Sequence, residues 1–166
     1  CLQKKKEGKI RNFGFSFHGD PVLLEQLLND HPEVDFVQLQ INYADWENNA
    51  IWSGENYRVC RRHNKPIVVM EPVKGGLLAN LAPELQQKLD AVRPGKSAAS
   101  FALRYAASLE GVMMVLSGMS DAAQMEDNLR TFEQFEPLTD DERRAIDEVT
   151  KALLAADTIP CTSCRY

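Results

Sequence analysis

The 166-residue chain is long enough for one domain with a sizeable core, and 44% apolar and 26% charged residues with nine glycines and eight prolines describe a folded rather than a disordered polypeptide. A net charge of −5 of mixed sign argues against electrostatic binding of nucleic acid. No run approaches the roughly 20 apolar residues of a membrane span, and the N-terminus lacks the order of a signal peptide, so a cytoplasmic protein without a membrane partner is expected.

The first feature along the chain is basic: Lys4-Lys5-Lys6 and Lys9 flank Gly8, where a helix ending at glycine would set cations against its negative pole. The opening residue is Cys1 rather than Met, so a longer polypeptide is expected. Four short, nearly continuous apolar runs follow, at Ile10–Phe17, Phe36–Asn42, Ile67–Val73 and Val112–Met119, the pattern of strands covered on both faces. Helical segments separate them: Pro21–Asp30 with a Leu23, Leu24, Leu27, Leu28 stripe, then roughly Gly54–His63, then a pair at Pro83–Ala91 and Ser97–Leu109. Ala122–Phe135 and Thr139–Asp157 follow the fourth strand; Thr139-Asp-Asp-Glu142 is a capping box, and Ile146, Val149, Leu153 and Leu154 supply an apolar stripe.

Alternation of strand and helix predicts an α/β fold with parallel strands and right-handed crossovers. Four such units make either an open, flavodoxin-like sheet with one strand too few or half of a (β/α)8 TIM barrel, and the half-barrel is the favoured reading. The expected division is a barrel half over residues 1–157 and a cysteine-containing segment over 158–166.

A Gly-x-Gly-x-x-Gly cradle is absent, and Gly95-Lys96-Ser97 is not a phosphate loop, since Asp90 stands where its first glycine would fall. Ser97 is expected to cap a helix. Barrels place their chemistry at the C-terminal strand ends, so attention falls on Ser16 and His18, on Gln38, Gln40 and Asn42, which share a period-two face, on Glu71 inside the third run, and on Ser117 and Ser120. Gly75-Gly76 directly after the third strand lets bare backbone approach a phosphate, and Ser120-Asp-Ala-Ala-Gln124 opens a helix whose free N–H groups favour an anion.

In this order the motifs resemble the aldo-keto reductase family. Gly8-Lys-Ile-Arg-Asn-Phe-Gly-Phe-Ser-Phe-His18 is similar to that family's fifth strand and Gln40-Ile-Asn-Tyr43 to its sixth. Met70-Glu-Pro-Val-Lys-Gly-Gly-Leu-Leu78 resembles the seventh, and Leu116-Ser-Gly-Met-Ser120 with Gln124-Met-Glu-Asp-Asn128 the eighth strand and its helix. The resemblance implies an oxidoreductase that binds NADP(H) or NAD(H) across the barrel mouth and acts on a small-molecule carbonyl. By position, Ser16 and Gln40 would hold the carboxamide, Gly75 and Gly76 would lie by the pyrophosphate, and Gln124 and Asn128 by the adenosine; Glu71 and Ser117 complete the expected cofactor-side set. The family's catalytic Asp, Tyr, Lys and His belong to strands two to four, so the N-terminal half of the same barrel would be required for turnover. Three positions depart from the family pattern: Phe17 replaces an Asn, Met70 an aromatic ring and Glu71 a Ser. Those departures keep a non-catalytic binding or regulatory barrel, or an electron-transfer protein, as alternatives.

The final segment, Ile159-Pro-Cys161-Thr-Ser-Cys164-Arg-Tyr166, has the spacing of the first two ligands of a ferredoxin-type run. It resembles the start of the iron–sulfur tail of one subgroup of these proteins, which implies a [4Fe-4S] cluster and a redox partner. A zinc half-site or a dithiol pair are the other readings of Cys161 and Cys164.

Overall fold

The structure, a computed structural model, describes residues 1–155. Four parallel strands, β1 (Gly14–Phe17), β2 (Phe36–Gln40), β3 (Ile67–Met70) and β4 (Val112–Val115), form one sheet in the order β1-β2-β3-β4. Strictly sequential order means that every crossover advances in the same direction. Right-handed crossovers then stack all connecting helices on one face, as along the wall of a barrel, whereas a doubly wound sheet must reverse its order.

The lysine cluster forms a short helix, α1 (Leu2–Lys6), followed by Gly8 at φ 70°. Helix α2 (Pro21–Asp30) begins at Asp20, whose carboxylate accepts from the N–H groups of Val22 and Leu23, both at 3.0 Å, with Pro21 in the first turn where its missing donor costs nothing. Helix α3 (Ser53–Arg62) links β2 to β3, and α4 (Pro83–Val92) and α5 (Ala98–Ala107) together link β3 to β4. Ser97 caps α5 as expected, accepting from Ser100 N–H at 3.0 Å. Helices α6 (Ala122–Glu133) and α7 (Asp140–Ala155) follow, and the capping box of α7 closes reciprocally: Thr139 N–H to Glu142 Oε2 at 2.8 Å, Glu142 N–H to Thr139 Oγ1 at 3.2 Å.

Two apolar clusters hold these layers. Under the helix-covered sheet face, Phe17, Val37, Leu39, Ile41, Ile67 and Val69 meet Leu24 and Leu28 of α2, Val59 and Cys60 of α3 and Ala106 of α5. The second joins Leu89 of α4, Phe101 and Ala102 of α5, and Ala145, Ile146 and Val149 of α7. Each fully buried leucine or phenylalanine here stabilises by about 1.5–3 kcal/mol. Both expected stripes are narrower than read: Leu23 is 45% exposed and Leu154 64%, one helical step off the packed rows 24/28 and 146/149/153.

All four strands are shorter than their apolar runs. Residues 10–13 lie outside β1; Phe13 is held by Asp35, whose carboxylate accepts from Phe13 N–H at 2.9 Å and from Lys5 and whose own N–H donates to the Phe13 carbonyl at 2.9 Å. Met70 ends β3 because Glu71 turns to φ 56° and Pro72 offers no donor. Gly14 is required by close strand approach, since a Cβ there would lie 2.3 Å from the Phe36 carbonyl oxygen. In β4 the register skips: Ile67 faces Val112, but Val68 faces Met114 and Val69 faces Val115. This bulge at Met113 brings both Val112 and Val115 onto the buried face despite their odd spacing.

Candidate functional site

The face of the sheet turned away from the helices carries the polar strand residues. Ser16, Gln38 and Gln40 alternate with buried Phe17, Val37 and Leu39, so the period-two reading holds within the strands. Gln38 Nε2 lies 3.4 Å from Ser16 Oγ and 3.3 Å from Met70 Sδ, and Ser16 Oγ lies 3.1 Å from His18 Nε2. One polar patch therefore spans the C-terminal ends of β1, β2 and β3. Asn42 leaves the pattern: it falls beyond β2 and is wholly buried.

Asn42 is buried because it belongs to a network around Asp45, which is itself 0% exposed. Asp45 Oδ2 accepts from Gln40 Nε2 at 3.1 Å and from Asn42 Nδ2 at 2.9 Å, and Asn42 Oδ1 accepts the Asp45 backbone N–H at 2.9 Å. Oδ1 is paired with the ammonium of Lys74. Asn42 Nδ2 also reaches the Glu71 carbonyl at 3.2 Å, and Ser53 Oγ donates to the Gln40 carbonyl at 2.8 Å. The end of β2, the following loop and the loop after β3 are thus tied by one buried carboxylate.

That second loop is conformationally unusual. Glu71, Lys74, Gly75 and Gly76 all have positive φ, at 56°, 49°, 60° and 93°. Two non-glycine residues in the left-handed region cost of order 1–3 kcal/mol each and persist only when their surroundings hold them. The Lys74–Asp45 pair holds one, and Glu71 Oε2 accepts from Gly75 N–H at 2.7 Å. Glu71, expected inside the strand, therefore stands just past it with its carboxylate folded back on the glycine loop. A Cβ on Gly76 would meet nothing within 4 Å among the described residues.

Ser117, Gln124 and Asn128 form a separate group at the β4–α6 junction. Asn128 Nδ2 donates to Ser117 Oγ at 3.0 Å. The amides read as free for an anion are partly engaged: Asp121 Oδ1 accepts from Gln124 N–H at 2.8 Å, and Gln124 Oε1 from Ser120 N–H at 2.7 Å. Trp46 and Tyr57 pack with ring centroids 5.3 Å apart, with Tyr105 against Trp46 at 6.0 Å.

Asp45 and Lys74 are the residues that sequence reasoning missed. Asp45 lies five residues after Gln40 and 29 before Lys74, a pairing that no periodicity announces. The one local signal was an acidic residue set in the apolar and aromatic run Tyr43-Ala-Asp-Trp46. Among the described residues no group of three or more His, Cys, Asp or Glu side chains is placed to hold a metal ion, and Cys161 and Cys164 lie outside the described residues. Among those residues, too, no helix is long and apolar enough to cross a membrane.

The sequence profile of the aldo/keto reductase family matches residues 1–151. The chain belongs to this family. No curated protein matches its sequence. Among solved structures, the holo form of an aldo-keto reductase from Bacillus halodurans is similar with a TM-score of 0.67 at 23% identity, over 89% of this chain and 53% of that one. A thermostable aldo-keto reductase in complex with the inhibitor epalrestat gives 0.68 at 19%, over 89% and 52%. An aldo-keto reductase from Klebsiella pneumoniae in complex with NADPH gives 0.64 at 18%, over 90% and 51%. These likenesses establish the α/β barrel-type fold, and the chain spans about half the length of the structures it matches.

Proposed function

We propose that this aldo/keto reductase segment carries the nicotinamide-binding side of an NAD(P)-dependent carbonyl oxidoreductase. The observation that carries the reading is the joining of Ser16, Gln38 and Met70 into one polar patch at the strand ends, with Gln40 the register partner of Met70, immediately before the glycine loop of Gly75 and Gly76. The donor set fits such a cofactor: Ser16 and Gln40 offer hydroxyl and amide groups to a carboxamide, while Gly76 leaves room for a diphosphate beside the Lys74 loop. Ser117 with Asn128, and Gln124 at the start of α6, would meet the adenosine end. Family membership and the NADPH bound to the Klebsiella relative support the same choice. A bound nicotinamide supplies a hydride to a carbonyl carbon, or takes one from an alcohol; the proton for the oxygen would come from the Asp, Tyr, Lys and His of the other barrel half. In that reading residues 1–166 alone do not turn over substrate.

The test is titration of the intact protein with NADPH and NADH, following cofactor fluorescence. Saturable binding of at least one is expected, with Ser16→Ala and Gln40→Ala each weakening it about fivefold to tenfold for one lost hydrogen bond. No fluorescence change with either cofactor would refute the reading. A non-catalytic binding role is the second reading, favoured by the Glu71 carboxylate that already occupies Gly75 N–H. Cofactor binding without turnover of any carbonyl by the intact protein would select it.

The cysteine pair extends the proposal: Cys161 and Cys164 would be the first two ligands of a [4Fe-4S] cluster that exchanges electrons with a redox partner. Anaerobic iron–sulfide reconstitution of the intact protein should give visible cluster absorbance that Cys161→Ser abolishes. A colourless product would remove the cluster from the proposal and leave the nicotinamide site untouched.

A further inference from the structure

We infer that Asp45 is a positioning residue, one that fixes the Gln40 amide with its oxygen toward the cofactor carboxamide and pins the glycine loop through Lys74. The inference rests on the nicotinamide reading above. Its starting point is the full burial of a carboxylate whose partners among the described residues are three, Gln40, Asn42 and Lys74, all of them at the site.

Isolated in a protein interior a carboxylate is strongly unfavourable, and buried ion pairs as such are often replaceable by apolar groups of the same volume without loss of stability. What an apolar residue cannot do is orient an amide. A carboxylate oxygen only accepts hydrogen bonds, so the atom of Gln40 that faces Asp45 Oδ2 at 3.1 Å must be the NH2 group. Gln40 Oε1 is then left without a protein partner among the described residues. It is an acceptor at the end of β2, where Gln40 is the register partner of Met70 on β3. The carboxamide of a nicotinamide offers the matching donor.

The second oxygen of Asp45 does a different job. It holds Lys74, whose φ of 49° places it in the left-handed region at the start of the Lys74–Gly76 turn. Asn42 closes the arrangement, giving its amide hydrogens to Asp45 Oδ2 and to the Glu71 carbonyl, and accepting the Asp45 N–H. A single group therefore sets both the amide at the end of β2 and the loop that follows β3.

The reading is tested by comparing, in the intact protein, the dissociation constants of the nicotinamide cofactor and of its 3-acetylpyridine analogue, in which a methyl group replaces the carboxamide NH2. Wild type should bind the amide form about fivefold to tenfold more tightly, the value of one hydrogen bond. In Asp45→Ala no carboxylate holds the Gln40 NH2, so the amide can present either end to the ligand, and the preference should fall to about twofold or less by loss of that same bond. A role confined to stability would weaken both ligands alike and keep the ratio, which would overturn the inference. Lys74→Gln leaves Oδ2 on Gln40, so its ratio should stay at the wild-type value even as both affinities drop; a collapsed ratio there would also overturn it. If Asp45→Ala fails to fold, the wild-type ratio and that of Lys74→Gln decide. Equal wild-type affinity for the two ligands would reject the inference while upholding nicotinamide binding, whereas binding of neither would reject the underlying reading itself.

Discussion

Replacing Arg104 with Met tests the principal buried ion pair of the helical layer. The guanidinium is 4% exposed and grips Glu142 with two bonds, Nη1 to Oε1 at 2.6 Å and Nη2 to Oε2 at 2.9 Å, while Nε and Nη2 satisfy the carbonyls of Glu136 and Pro137 at 2.8 and 3.2 Å. Burial pushes the Glu142 carboxyl upward, but the Arg104 bonds and the Thr139 N–H outweigh it and hold the group at about 2 instead of 4.5. That displacement corresponds to about 3 kcal/mol of folding stability. It is present in full above the unfolded value and is lost as pH falls from 4.5 toward 2, because the unfolded chain takes up the proton first. Without Arg104 the buried carboxylate keeps only Arg93 Nη1 at 3.3 Å and the Thr139 N–H, so Arg104→Met should cost about 3 kcal/mol at pH 7, the low end for breaking a buried pair. Acid protonates Glu142 in the variant more readily than in wild type, so the gap should narrow to about 1–2 kcal/mol near pH 3, where the unfolded chain and the variant take up the proton while wild-type Glu142 stays mostly ionised. Urea unfolding of the two proteins across this range measures it, and adding Glu142→Leu to the variant should recover part of the loss at pH 7. A difference below about 1 kcal/mol at pH 7, or one that stays constant down to pH 3, would refute the reasoning.

Gly14→Ala should destabilise by about 1–3 kcal/mol, because its Cβ would sit 2.3 Å from a backbone oxygen that cannot withdraw without breaking the β1–β2 register. A melting temperature equal to wild type would show that the strands separate freely there. Tyr43→Phe should be neutral or stabilising by up to about 1 kcal/mol, since the buried hydroxyl has no hydrogen-bond partner among the described residues and burial pushes its pKa above the ordinary phenol range. A loss above about 1 kcal/mol on thermal unfolding would reveal a bond made by that hydroxyl.

Much of the architecture is legible in residue patterns. The four apolar runs each contain a strand, and Ser97, Thr139 and Glu142 cap helices where their side chains dictate. What fails is the end of each element, because apolar composition continues after the backbone has turned: nothing in Ile67–Val73 announces that Glu71 adopts φ 56°. Helix α5 is buried at seven of its ten positions because it serves two cores, so it shows no single stripe. At the site, Gln38 and Gln40 are visible through period two, and Gly75-Gly76 through its place after a strand. Asp45, Lys74 and the Arg104 partner of Glu142 are not, because each is chosen by a residue at least 29 positions away. Local patterns encode faces and caps; pairings across the fold appear only when the elements are docked.

The skipped register in β4 also bears on how this region tolerates changes of chain length. With Met113 bulged out, Val112 and Val115 share the buried face. Deleting Met113 would leave Val-Met-Val, an ordinary alternating strand with the same two valines inward and one methionine outward. The bulge is thus a point where the sequence can shed a residue without changing which side chains enter the core, whereas a deletion within β2, whose Phe36–Gln40 alternation is strict, would turn Val37 and Leu39 to opposite faces.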